Sequence, residues 1–112
     1  MATLYVGDGF TIQSEIQDVD AVKIEISYDN GENYSTIAER VEIEHSKVDD
    51  QEVYQPLAYD WTVEGVGELC IIRVSGLDGN EDIIDESEPF RIVEGRINMG
   101  QNKFSLGFGF SF

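Results

Sequence analysis

Cysteine and histidine are almost missing from this chain: Cys70 and His45 are its only representatives of either in 112 residues. A lone cysteine forms no intrachain disulfide, and inside Leu69-Cys-Ile-Ile72 it reads as a small buried hydrophobe. A catalytic thiol needs a base beside it, and His45 lies far away in sequence, at the end of the alternating run Val41-Glu-Ile-Glu-His45, so a Cys–His pair is not expected. Basic residues are also scarce, with seven Lys and Arg against 23 Asp and Glu and a net charge of −16. Such a surface repels phosphate backbones and anionic membranes, which removes nucleic acid and membrane from the expected partners. No stretch approaches a membrane-spanning helix, and Met-Ala-Thr-Leu-Tyr-Val-Gly-Asp8 has neither a basic region nor an apolar run fit for a secretion signal. The expectation is a product made in the cytoplasm.

The abundance of acids does not specify chemistry. Carboxylate pairs for glycoside hydrolysis can be drawn from 23 acids almost at will, so none is assigned and no enzyme is expected. The densest acidic stretch is Asp78-Gly-Asn-Glu-Asp82 followed by Asp85, Glu86 and Glu88. Asp78, Asp82 and Asp85 are the only candidate calcium ligands, but they lack the twelve-residue loop register with its terminal bidentate Glu. A solvated turn is the expectation, with no metal and no cofactor.

Helix signals are close to absent, and nearly every apolar run alternates. Phe10, Ile12, Ser14 and Ile16 share one face; Val22, Ile24 and Ile26 share another, opposed by Lys23 and Glu25. Asn30-Gly31 is a strong hairpin signal because both residues tolerate positive φ. Ile37 and the Val41/Ile43 strand follow, then an acidic polar loop from Ser46 to Glu52. Leu57, Tyr59 and Trp61 alternate again. Leu69 to Val74 is nearly continuous in apolar character, which predicts a central strand buried on both faces. A turn at 77–82 precedes a strand at Phe90-Arg-Ile-Val93. Seven or eight short strands in one domain predict an antiparallel two-layer β-sandwich, with Trp61, Ile24, Ile26 and Ile72 in its core.

The last nine residues differ from everything before them. Phe104, Leu106, Phe108, Phe110 and Phe112 alternate with Ser105, Gly107, Gly109 and Ser111, giving one apolar face and one nearly bare face that another backbone can approach closely. Residues 95–112 hold Arg96 and Lys103 and no acid, so the tail carries +2 and the rest of the chain −18 of the total −16. Burying four Phe and one Leu stabilises by on the order of 10 kcal/mol, about what ordering nine residues costs. The tail therefore needs ladder hydrogen bonds or a neighbour's surface. Three readings stand open: the last strand of its own sheet, a strand docked on another subunit through Phe104–Phe112 with Gly107 and Gly109 admitting the partner, and, least well supported, a terminal strand like those of outer-membrane barrels.

The order Phe10-Thr-Ile, Val22 to Tyr34, Tyr59-Asp-Trp-Thr-Val63, Cys70-Ile-Ile-Arg-Val74 and Asp85 to Ile92 resembles small immunoglobulin-like or fibronectin-type-III-like domains. These occur in bacterial surface proteins and as accessory modules of bacteriophage particles. The resemblance covers about residues 5–93 and departs from the family pattern at Glu64, where proline commonly follows Trp-x-Val. It implies an immunoglobulin-like sandwich over 1–94; the additional aromatic strand in 95–112 lies outside the resemblance and is read from its own alternation. Ser27-x-Asp29-x-Gly31-x-x-Tyr34 also looks like the Asp-box hairpin of sialidases and is read here as structural; four arginines and one domain leave no room for a propeller. The expected function is that of a non-enzymatic structural subunit whose partners are other protein subunits, above all in a virion, as a capsid decoration, neck or tail-fibre module. Two alternatives follow from the same features: a secreted, extracellular module binding carbohydrate or a cell surface, with Tyr28, Tyr34 and Tyr54 as stacking candidates, and a self-polymerising homo-oligomeric filament subunit.

Overall fold

The computed structural model describes residues 1–95 and 102–106. Among them it forms eleven strands and no helix: β1 Thr3–Tyr5, β2 Gly9–Ser14, β3 Ala21–Ser27, β4 Ser35–Glu42, β5 His45–Val48, β6 Gln51–Tyr54, β7 Leu57–Thr62, β8 Gly67–Gly76, β9 Ile84–Glu86, β10 Phe90–Val93 and β11 Asn102–Leu106. The large sheet runs β1-β10-β8-β3-β4 with β9 beside β8; the small sheet runs β11-β2-β7; β5 and β6 make a separate hairpin. One buried cluster takes Phe10 and Ile12 from β2, Leu57 and Trp61 from β7, Ile24 and Ile26 from β3, Ile72 and Val74 from β8, and Phe90 and Ile92 from β10. The two sheets thus share a core. The fold is all-β with mixed sheets, compatible with a β-sandwich.

Alternation explains most of this directly. Phe10, Ile12, Ser14 and Ile16 are all buried, as are Val22, Ile24 and Ile26, while Lys23 and Glu25 are half-exposed on the opposite face. The expected core residues Trp61, Ile24, Ile26 and Ile72 are buried together. At the β3–β4 turn Asn30 has φ 59° and Gly31 φ 91°, the double left-handed conformation that Asn-Gly adopts at low cost. Asp78 and Gly79 repeat it at φ 59° and 94°, closed by the Asn80 N–H donating to the Leu77 carbonyl at 3.3 Å.

Three expectations are corrected. The pairing is not antiparallel throughout: β1 runs parallel to β10, and β11 parallel to β2. Alternation reports which face a side chain takes and carries nothing about strand direction. Both chain ends step from the large sheet to the small one, β1 to β2 and β10 to β11, so their pairings repeat in the same sense. Secondly, Leu69 to Val74 is not buried on both faces. Cys70, Ile72 and Val74 are fully enclosed, whereas Leu69 is exposed and Ile71 and Arg73 are half-exposed. The β3–β4 hairpin tip lies over part of that outer face, where a Cβ built at Gly31 would stand 3.7 Å from Ile71 Cδ1. Thirdly, Ser46 to Glu52 is a hairpin rather than a loop. Asp49 and Asp50, at φ 52° and 64°, form a two-residue turn between Val48 and Gln51.

Candidate docking edge on the small sheet

The candidate docking residues start on an edge of the small sheet. β11 pairs with β2 in parallel register, placing Asn102 opposite Phe10, Phe104 opposite Ile12 and Leu106 opposite Ser14. β2 is held on its other side by β7, with Phe10 opposite Trp61 and Ile12 opposite Tyr59. Phe108, Phe110, Phe112, Gly107 and Gly109 lie outside the described residues.

Where β2 ends, the two sheets are tied together. Ser14 is the last residue of β2 and is 1% exposed; its Oγ donates to Asp85 Oδ2 on β9 at 2.7 Å and accepts from the Ile16 N–H at 3.2 Å. Beyond that bond opens a groove of about 610 Å³, walled by residues 15–17 on one side and 83–86 on the other. Ile84 on β9 is 52% exposed beside it. The polar Ser14 within the apolar face of β2 was visible in sequence. Its partner was not, because Asp85 lies 71 residues away.

The Asp-box-like hairpin is a self-contained hydrogen-bond knot. Ser27 Oγ donates to Asp29 Oδ1 at 2.7 Å and accepts from the N–H groups of Gly31 and Asp29 at 2.8 and 3.2 Å. Asn33 donates its side-chain amide to Asp29 Oδ2 and its backbone N–H to Asp29 Oδ1, both at 2.8 Å. These donors, Asn33 first, favour the ionised carboxylate and hold Asp29 down at about 2. Tyr34 puts its ring 3.7 Å under the Arg73 guanidinium and its hydroxyl donates to Glu86 at 3.0 Å. Tyr28 reaches across to donate to the carbonyl of Glu64 at 2.7 Å, and both Tyr28 and Tyr54 lie against the core cluster. The tyrosines weighed as sugar-stacking residues are thus each engaged within the chain.

The remaining candidates are dispersed. Cys70 is enclosed in β8, its thiol pushed up to about 11 mainly by burial. His45 is on the outlying hairpin, with Nδ1 2.8 Å from Glu52 Oε2 and Nε2 3.4 Å from Asp20 Oδ1. Asp78 pairs with Arg40 at 2.9 Å, which lowers its pKa, whereas Asp85 is bonded to Ser14. Among the described residues no three His, Cys, Asp or Glu side chains are grouped to hold a metal ion. No helix among them is long and apolar enough to cross a membrane.

Comparison with protein-family models, with curated proteins and with solved structures finds no match to this chain.

Proposed function

We propose that the chain is a non-enzymatic structural or accessory subunit of a larger assembly, with a bacteriophage virion as that assembly and the host cytoplasm as its place of synthesis. Residues 1–94 form an immunoglobulin-like sandwich that displays a highly acidic surface, and residues 95–112 carry the aromatic strand that docks on a neighbouring protein subunit. The observation behind this reading is the location of β11: the one acid-free, aromatic segment of the chain enters the fold as the outer strand of the small sheet, beside β2. An outer strand carries backbone groups with which a further strand can pair, the usual basis of strand-mediated assembly.

The test removes residues 96–112 in the producing system. The shortened chain is expected to be soluble and to unfold cooperatively, yet to be missing from purified particles by mass spectrometry. Particles that take up the shortened chain as well as the full one would overturn the reading. So would a shortened chain that fails to fold at low temperature and low concentration, because the tail would then be an obligatory strand of the body.

A further inference from the structure

We infer that the β5–β6 hairpin is a protonation-controlled arm, latched to the body by the imidazolium of His45 and released when the ring loses its proton. It uses nothing of the tail and stands apart from the docking reading. β5 and β6 pair with each other in a sheet of their own, from His45–Tyr54 to Val48–Gln51, and join neither larger sheet among the described residues. Every residue of β5 is exposed, as are Gln51, Glu52 and Val53. What ties this arm down lies at its base. The Ile43 N–H donates to the Asp20 carbonyl at 2.9 Å, Tyr54 is partly buried against the core cluster, and His45 Nε2 stands 3.4 Å from Asp20 Oδ1. The backbone bond does not titrate, and the Tyr54 phenol is pushed up from its ordinary value by burial and by Asp20, Glu52 and Asp18. Of these ties, the one through His45 is the one that changes near neutral pH.

The geometry around the ring decides which state latches. Nδ1 lies 2.8 Å from Glu52 Oε2, on the arm itself, while Nε2 faces Asp20, on the segment leading into β3. An ionised carboxylate only accepts, so both ring nitrogens must carry a proton to satisfy both partners. That species is the imidazolium. A neutral ring has one N–H, and the shorter contact to Glu52 keeps it on Nδ1, which turns the Nε2 lone pair toward the Asp20 oxygen. Deprotonation thus preserves the bond inside the arm and replaces the arm-to-body tie by repulsion. The surrounding charges do not reverse this. Asp18, on the body side, acts with Asp20 and Glu52 on the Tyr54 phenol, whose ring centre is 5.0 Å from that of the imidazole; Glu44 adjoins His45 in the chain, and Lys47 lies opposite Glu52 in register. The ring sits among carboxylates with one lysine nearby, so losing its charge removes attraction. The latch is complete while the ring is protonated and is lost as the pH rises through the ring's titration, within the range of about pH 5–8 where imidazole changes charge.

His45 is the only histidine in the chain, so its ring resonances can be followed alone in the full-length protein from about pH 5 to 9. As the ring deprotonates, the nuclear Overhauser contact between its carbon-bound protons and the Asp20 β-protons is expected to be lost. The Cα order parameters of residues 46–53, which are blind to amide exchange, should fall with the same midpoint and recover on return to low pH. Those of Asn30 and Gly31, at the other hairpin tip, should stay as they were. Asp20→Asn removes the body's carboxylate and leaves Glu52 in place: the ring should still titrate, but the mobility of the arm should no longer follow it. His45→Ala should leave the arm mobile at both ends of the range in a chain that still unfolds cooperatively. An arm as rigid at the alkaline end as at the acidic end, an arm that loosens toward low pH, or a pH response that survives Asp20→Asn overturns the inference. So does an arm that stays rigid without His45, or a ring that keeps one charge state throughout, because no switch then operates near neutrality.

Discussion

The β3–β8 pair at the centre of the large sheet and the β2–β11 pair at the rim of the small one have ladders of similar length, six register pairs against five. They are secured very differently. β3 and β8 are antiparallel, each has a further neighbour on its other side, and Ile24, Ile26, Ile72 and Val74 are almost wholly buried between the sheets. On their outer face Glu25 joins Arg73 at 3.1 Å and Lys23 at 3.6 Å, and Arg73 stacks on Tyr34. β11 is parallel, lies at the edge, and connects to the body through β2 alone among the described residues. A strand specified by burial, ladder and charge together has one available position. A strand paired on one side among the described residues has a second edge, and the proposed docking rests on that edge.

The largest effect that separates the two regions is expected at Trp61, on β7, the side of β2 away from β11. If the small sheet is rooted in the β2–β7 pair rather than in the tail, Trp61→Ala costs about 3–5 kcal/mol in urea unfolding. A loss below about 1 kcal/mol would mean that the body does not depend on that pair. Gly65→Ala comes next. At φ 82° it disfavours any Cβ, and one built there meets the Tyr28 ring at 2.6 Å. The expected cost is about 1–3 kcal/mol, while Tyr28→Ala should relieve most of the clash in a double-mutant cycle. A Gly65→Ala chain as stable as the parent would remove the Tyr28–Glu64 bridge from the account.

In the tail the comparison predicts almost no change in stability and a large change in assembly. If the tail docks on another subunit, Gly107→Val with Gly109→Val should move the unfolding free energy by less than about 0.5 kcal/mol and abolish particle uptake by adding bulk to the Gly/Ser side of the strand. A cooperative destabilisation of several kcal/mol would put the tail on the same footing as β3 and β8. The smallest effect belongs to Asp29. Its folded pKa is lowered from 3.8 to about 2, so the contribution it makes is complete above about pH 4 and fades as the pH falls through 2. A carboxyl resonance titrating near 2 in the native chain, moving to about 3.8 when Asn33→Ala and Ser27→Ala remove the donors, is the expected outcome. Titration near 3.8 in the parent would dissolve the hydrogen-bond knot.

Strand positions were largely legible because burial on one face leaves period-two alternation. Val22-Ile24-Ile26 and Phe10-Ile12-Ser14-Ile16 announced both the strands and their inward faces. The β5–β6 hairpin was missed because charge density across 46–52 outweighed the signal of a two-residue Asp-Asp turn, in which each aspartate takes a left-handed conformation that it tolerates better than most residues. Arg73 was read as part of a doubly buried run because its outward partners, Glu25 and Tyr34, come from other strands.

By itself the sequence determined an all-β chain, the inward-facing residues of β2, β3 and β7, the Asn30-Gly31 reversal, and the contrast between an acidic body and an acid-free aromatic tail. Each of these is local: alternation, turn propensity and charge are properties of neighbouring residues. Tertiary structure decided the rest, namely the parallel pairing of β1 with β10 and of β11 with β2, the Ser14–Asp85 tie, and the groove beside it. Strand direction and long-range pairing depend on how two sheets close over one core, and no window of adjacent residues contains that information.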